Sequence, residues 1–167
     1  IKIDYGRRFG WDAFARATHP KIIVETGVAH GIGACILAKA LIQNRQEGKV
    51  GRYFGTEIDK SMGKLFDSKY QNEGQIIFGD SIDTLNNFEN KIDLLINDSD
   101  HSAEYEYQEY KAVENKLSEF SIILGDNSHS TDKLSVFSKE KKRKFLFFKE
   151  EPLNHWYPGA GIGISFK

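Results

Sequence analysis

The sequence predicts an α/β fold of the doubly wound kind: a mostly parallel seven-stranded sheet with an antiparallel final strand and helices on both faces. Three observations carry this. Short apolar runs alternate with helix-compatible segments along nearly the whole chain, the pattern of successive βαβ units. One run, residues 92–96 (IDLLI), is almost continuously apolar, as a strand buried on both faces should be. The last two runs are joined by a loop too short for a crossover helix, so the final strand is expected to run against its neighbour. Together these describe a Rossmann-like sheet.

In chain order, Tyr5, Phe9, Trp11 and Phe14 are spaced as one face of a short helix within residues 1–18, able to cover the sheet or a pocket, and His19–Pro20 ends it. Residues 22–24 form a first strand closing on Glu25. A turn with Gly27, Gly31 and Gly33 follows, then an apolar-periodic helix through Cys35, Leu37 and Leu41. The rest is arranged around this unit, because ligands of open α/β sheets lie beyond the carboxyl ends of the strands. Residues 52–58 (RYFGTEI) are a second strand, and 60–70 a helix with Met62, Leu65 and Phe66 inward. Residues 75–78 are a third strand and 82–88 a helix. After 92–96 come a glutamate-rich helix over 102–117, a strand over 120–124 and a short helix over 132–137. The run KEKKRK (139–144) reads as a solvated connection, ahead of strands 145–149 and 161–166.

At 167 residues and 40% hydrophobic, the chain is expected to fold as one domain, 1–167, around one core. A net charge of -1 and a pI near 6.6 give no drive toward nucleic acid or an anionic membrane. No apolar run approaches the roughly 20 residues of a membrane helix, and a signal-peptide plan is absent. The lone Cys35 excludes an internal disulfide and reads as an ordinary buried small residue, so a cytoplasmic setting is expected. The chain opens at Ile1 and not at methionine, so an N-terminal segment is expected to be missing. The aromatic N-terminal helix can face a second subunit, which leaves a homo-oligomer open.

Every parallel strand in this scheme ends on polar or acidic residues, so Glu25, Glu57, Asp80, Asp98 and Asp126 are expected to share one rim. His30, His101, His129 and His155 fall in loops on the same edge, and His155, Trp156 and Tyr157 can form an aromatic wall there. Glu57 suits a ribose diol, since a carboxylate accepts from two hydroxyls. Asp80 and Ser81 can read an adenine edge, although Ser81 doubles as a helix N-cap; Asp59 reads as an N-cap too. The glycines give G-x-x-x-G-x-G, not the G-x-G-x-x-G of a dinucleotide site.

Glu25-Thr26-Gly27 with Gly31, the segment TEID around Glu57, and GDS at 79–81 resemble the cofactor signature of class I S-adenosylmethionine-dependent methyltransferases. The segments IDLLINDSDHS (92–102) and IILGDNSH (122–129) are similar to the metal-binding strand ends of cation-dependent O-methyltransferases, such as the catechol and macrocin O-methyltransferases. The loop ETGVAHG (25–31) also resembles that of the cephalosporin hydroxylases. The resemblance implies S-adenosylmethionine held by Glu25, Gly27, Gly31, Glu57, Asp80, Ser81 and Asp98, and Mg²⁺ or another divalent cation held by Asp98, Asp126 and Asn127. Two carboxylates and an amide oxygen are a hard donor set that suits Mg²⁺. Asp98 then serves catalysis through the metal, and the acceptor is a small hydroxylated molecule, a sugar or secondary metabolite.

His101 falls where a lysine base stands in the catechol enzymes, and imidazole chemistry near neutrality suits a general base. His129, two residues after Asn127, is the rival base. Two blander readings stand beside these: His101 caps the following helix, or Asp100 replaces Asp98 as ligand. Asp98, Asp100, His101, Asp126, His129 and His155 can also be read as a transition-metal hydrolase site, and the fold as a non-catalytic module.

Overall fold

The structure, a computed structural model, describes residues 8–151 and 159–167. Tyr5 and the expected wall of His155, Trp156 and Tyr157 lie outside them. Seven strands, β1 (Ile22–Thr26), β2 (Arg52–Glu57), β3 (Gly74–Phe78), β4 (Ile92–Asn97), β5 (Leu117–Gly125), β6 (Lys144–Lys149) and β7 (Gly161–Phe166), form one sheet in the order β3-β2-β1-β4-β5-β7-β6. β1 to β5 pair in parallel, and β7 runs antiparallel to both β5 and β6. The expected topology is present, with the final strand inserted between its neighbours.

Period-two alternation along the strands feeds two apolar layers. Ile23, Leu94, Ile96 and Leu124 face α1 (Arg8–Thr18) and α2 (Ile32–Gln46) through Trp11, Ala34 and Leu37. Val24, Leu95 and Ile123 face the other way, onto Leu85 of α3 (Ser81–Asn86), Tyr110 of α4 (Ala103–Val113) and Phe137 of α5 (Lys133–Glu140). The sheet is therefore doubly wound. No helix among the described residues is long and apolar enough to cross a membrane.

β1 is the hinge of the topology. From it the chain moves outward through β2 to β3, then crosses back to β4 on the other side of β1. Thr26 is in register with Thr56 and Asn97, so the carboxyl ends of β1, β2 and β4 lie side by side at the point where strand order reverses. Open α/β sheets carry their crevice at such a point.

Two expectations are corrected. Residues 60–70 are turns and not a helix. Gly63 adopts φ +74°, its N–H donates to the Ala29 carbonyl (2.7 Å), and Leu65 N–H donates to the His30 carbonyl. The Asp59 and Asp67 carboxylates accept from Ser61 N–H (2.8 Å) and Lys69 N–H (3.0 Å), local bonds that compete with a helix; Asp59 thus closes a turn and caps nothing. Phe66 is buried as expected, but Leu65 is exposed. Within KEKKRK, Arg143 is buried: its guanidinium donates to the hydroxyls and carbonyls of Ser121 and Ser165, tying β5 to β7.

Leu95 is fully buried on a central strand. Leu95→Ala is expected to cost about 2–5 kcal/mol, read as a lower urea midpoint; an unchanged midpoint would contradict this core.

Candidate active site

A cleft of about 490 Å³ opens at the switch between β1 and β4. Its geometry starts with Gly27, at φ +80°. A Cβ there would lie 2.1 Å from the Asp98 carbonyl oxygen, so only glycine lets the two strand ends meet. Gly27 and Val28 donate their N–H groups to the Thr56 carbonyl, and Asp98 N–H donates to that of Thr26. Gly31, at φ +97°, is the N-cap of α2 and packs against the 63–66 turn, away from the cleft lining. Gly33 lets α2 approach the sheet: a Cβ there would lie 2.2 Å from Glu25 Oε1 and 2.5 Å from the Trp11 ring.

The five strand-end acids divide. Glu57, Asp80 and Asp98 line the cleft. Glu57 is pinned by two backbone donors, Ala29 N–H to Oε2 (2.8 Å) and Asp59 N–H to Oε1 (2.9 Å), so its orientation is set before any ligand arrives. Asp80, not Ser81, caps α3, accepting from Asp83 N–H (3.0 Å), and its second oxygen accepts from Tyr105 Oη (2.9 Å). Ser81 lines the cleft but donates its hydroxyl to buried Glu109, which also accepts from Ser99 Oγ (2.7 Å) and Asn97 Nδ2. Burial raises the Glu109 pKa and these hydrogen bonds oppose the rise.

Glu25 and Asp126 are not among the lining residues. Glu25 is buried beneath the glycine loop, where Tyr53 Oη donates to its Oε2 (2.5 Å). Burial pushes its pKa up to about 8; the Tyr53 bond opposes the rise, and the Asp98 charge adds to it. Asp126 and Asn127 are buried in a 3₁₀ turn (Asp126–His129) that follows β5. Asn127 Nδ2 donates to the Asp100 carbonyl (3.3 Å), linking that turn to the loop after β4, while its Oδ1 is buried with no hydrogen-bond donor. Such an oxygen is the kind of group a cation satisfies, and Asp98 and Asp126 would complete an all-oxygen donor set of the type a hard divalent cation takes. Among the described residues no three His, Cys, Asp or Glu side chains converge on a metal position, so the Asp/His cluster of the hydrolase reading is not assembled there.

The two base candidates differ. His101 is exposed and lines the cleft; His129 does not line it and directs Nδ1 at the Asp126 carbonyl (3.0 Å), a bond that requires the proton on that nitrogen. The Ser102 side chain and then its N–H (2.7 Å) hydrogen-bond to Asp100 and lower its pKa. Cys35 is half-buried; burial raises its thiol to about 11, so it is no nucleophile.

Sequence reasoning missed Ile58, Tyr105 and Glu109. Ile58 closes the second strand run yet is 76% exposed and lines the cleft, an apolar platform beside Glu57. Glu106, Glu109, Tyr110 and Val113 are the buried residues of α4, so this helix turns polar groups inward. Their i, i+3, i+4, i+7 spacing was visible, but glutamates are ordinarily read as solvent-facing.

A methyltransferase-domain family model matches residues 24–128, from β1 into the 3₁₀ turn. No curated protein matches the chain. Among solved structures, the O-methyltransferase TomG from Streptomyces achromogenes, in complex with SAM, is 12% identical with a TM-score of 0.72 over 99% of this chain and 81% of that one. The SAH-bound methyltransferase PaMTH1 of Podospora anserina is 21% identical with a TM-score of 0.71, covering 99% and 80%. The O-methyltransferase from Bacillus cereus in complex with SAH is 12% identical with a TM-score of 0.70, covering 99% and 83%. At these identities the likeness is one of fold.

The Glu25 carboxyl keeps its proton to about pH 8 when folded, against an ordinary value of 4.5. The stability it contributes is therefore complete below about pH 4.5 and is lost as pH rises through about 8. Glu25→Gln is expected to flatten this slope, so that its melting temperature gains on the parent between about pH 5 and pH 8; parallel pH profiles would contradict the assignment.

Proposed function

The chain belongs to the methyltransferase-domain family, and from that premise we propose that it transfers a methyl group from S-adenosylmethionine to a hydroxyl of a small acceptor, a sugar or secondary metabolite, with help from a divalent cation. The observation that carries this reading is Glu57, its carboxylate fixed by two backbone amides at the cleft wall beside exposed Ile58. A pre-oriented carboxylate suits a ribose diol, and an adjacent apolar side chain suits an adenine face. Asp80, held by Tyr105, stands nearby to accept from an exocyclic amine.

Gly27 lets the β1 end approach the ligand, and the backbone around Asp98 forms the facing wall. Asp98, Asp126 and Asn127 are the residues that would hold Mg²⁺, which when bound supplies a Lewis acid that makes the acceptor hydroxyl more acidic. His101, exposed on the cleft wall, takes the hydroxyl proton as the oxygen–methyl bond forms and the carbon–sulfur bond breaks. Of the two histidines it is favoured because it lines the cleft and His129 does not. The reading carries with it a cytoplasmic small-molecule enzyme with no nucleic-acid or membrane partner.

Asp126→Ala, with Asp126→Asn as a conservative control for folding, is expected to lower turnover at least about a hundredfold while S-adenosylmethionine affinity stays within about twofold. Full turnover in both variants, measured as methyl transfer to a panel of hydroxylated acceptors, would remove Asp126 from the chemistry.

A further inference from the structure

The cleft wall is acidic. Glu57, Asp80, Asp98 and Asp100 line it, and among the described lining residues there is no Lys or Arg. The methionyl part of S-adenosylmethionine carries a sulfonium and an ammonium, which such a wall attracts, but also a carboxylate, which it repels. A cleft built for this zwitterion needs one cation at its rim.

Arg8, the first residue of α1, is not itself among the lining residues but stands beside Asp98, which is. Its Nη2 lies 3.8 Å from Asp98 Oδ2, close enough for an ion pair yet too long for a hydrogen bond, so its N–H donors are not spent on that carboxylate. Its Nε is buried with no hydrogen-bond partner, although the side chain as a whole is 32% exposed. The guanidinium lies over the Trp11 ring at 5.3 Å, and Trp11 is itself buried against Gly33. The fork is thus held in place by stacking while keeping donors unused, one of them shielded from water. A carboxylate suits the Nη donors of that fork, which the Asp98 pair leaves without a hydrogen bond.

We propose that Arg8 binds the α-carboxylate of the methyl donor, making α1 part of the cofactor site and not merely a cover for the sheet. This rests on the S-adenosylmethionine reading above. It also assigns a purpose to the Arg8–Asp98 pair: Asp98 orients the guanidinium for the carboxylate.

Two ligands separate this role from a structural one. S-adenosylhomocysteine has the amino-acid group, and 5′-methylthioadenosine lacks it but keeps the adenosine. Calorimetric titration of the parent chain, Arg8→Gln and Arg8→Lys with each ligand is the experiment. Arg8→Gln is expected to weaken S-adenosylhomocysteine about tenfold or more while methylthioadenosine changes by less than about twofold, with Arg8→Lys in between. Unchanged S-adenosylhomocysteine affinity in Arg8→Gln, or an equal loss for both ligands, would overturn the assignment. If the parent chain binds neither ligand, the methyl-donor reading itself fails, and this inference with it.

Discussion

The site depends on one close approach, that of the carboxyl ends of β1 and β4 at Gly27. The Gly27 Cα faces the Asp98 carbonyl with no room for a side chain, and Asp98 N–H donates to Thr26 across the same gap. This contact sets where the chain leaves the sheet on both sides of the switch point. It puts Glu57, held through Ala29, on one wall of the cleft and Asp98 to His101 on the other. A larger residue at 27 would push these walls apart.

Beneath the cleft the protein keeps an unusual number of polar groups out of water. Glu109 gathers Ser81, Asn97 and Ser99, while Glu106 takes hydrogen bonds from Tyr110 and Thr131. Apart from the Tyr110 bond, which lies within α4, these bonds tie α4 to residues at or just beyond the carboxyl ends of β3, β4 and β5, so α4 acts as a brace for three strand ends. Buried carboxylates of this kind are tolerable only when fully hydrogen-bonded, and the result is a rigid floor. On the α2 side Glu25 is buried as well, its pKa raised to about 8 by burial and its carboxyl joined to Tyr53 of β2.

Much of the fold was legible because periodicity reports burial directly. Residues 92–96 read as a two-face-buried strand and form most of β4, the centre of the sheet, and the short link between the last strands foretold the reversal at β7. The acids at strand ends were legible as a group, since a parallel sheet aligns its carboxyl ends. Which of them line the cleft was not legible: Glu25 and Glu57 look alike in sequence, and only the glycine loop, drawn onto Glu57 by Ala29 and over Glu25 by Gly33, separates a wall from a foundation. The 60–70 segment misled because the Asp59 and Asp67 carboxylates close local turns on Ser61 and Lys69 that compete with a helix, and because Gly63 bonds to the distant Ala29 carbonyl, which no local pattern records. Arg8 was invisible for the same reason, its meaning lying in Asp98, ninety residues away.

The central claim is that the cleft is built for a methyl donor and not for a dinucleotide or for no nucleotide at all. Thermal unfolding in the presence of S-adenosylmethionine, of NAD and of neither tests it most directly. At about 100 times its dissociation constant a ligand adds roughly 2.7 kcal/mol, which at this chain length raises the midpoint by about 5–10 °C. Such a rise with S-adenosylmethionine and none with NAD is the predicted result. A rise with NAD alone, or with neither nucleotide at saturating concentration, would contradict it.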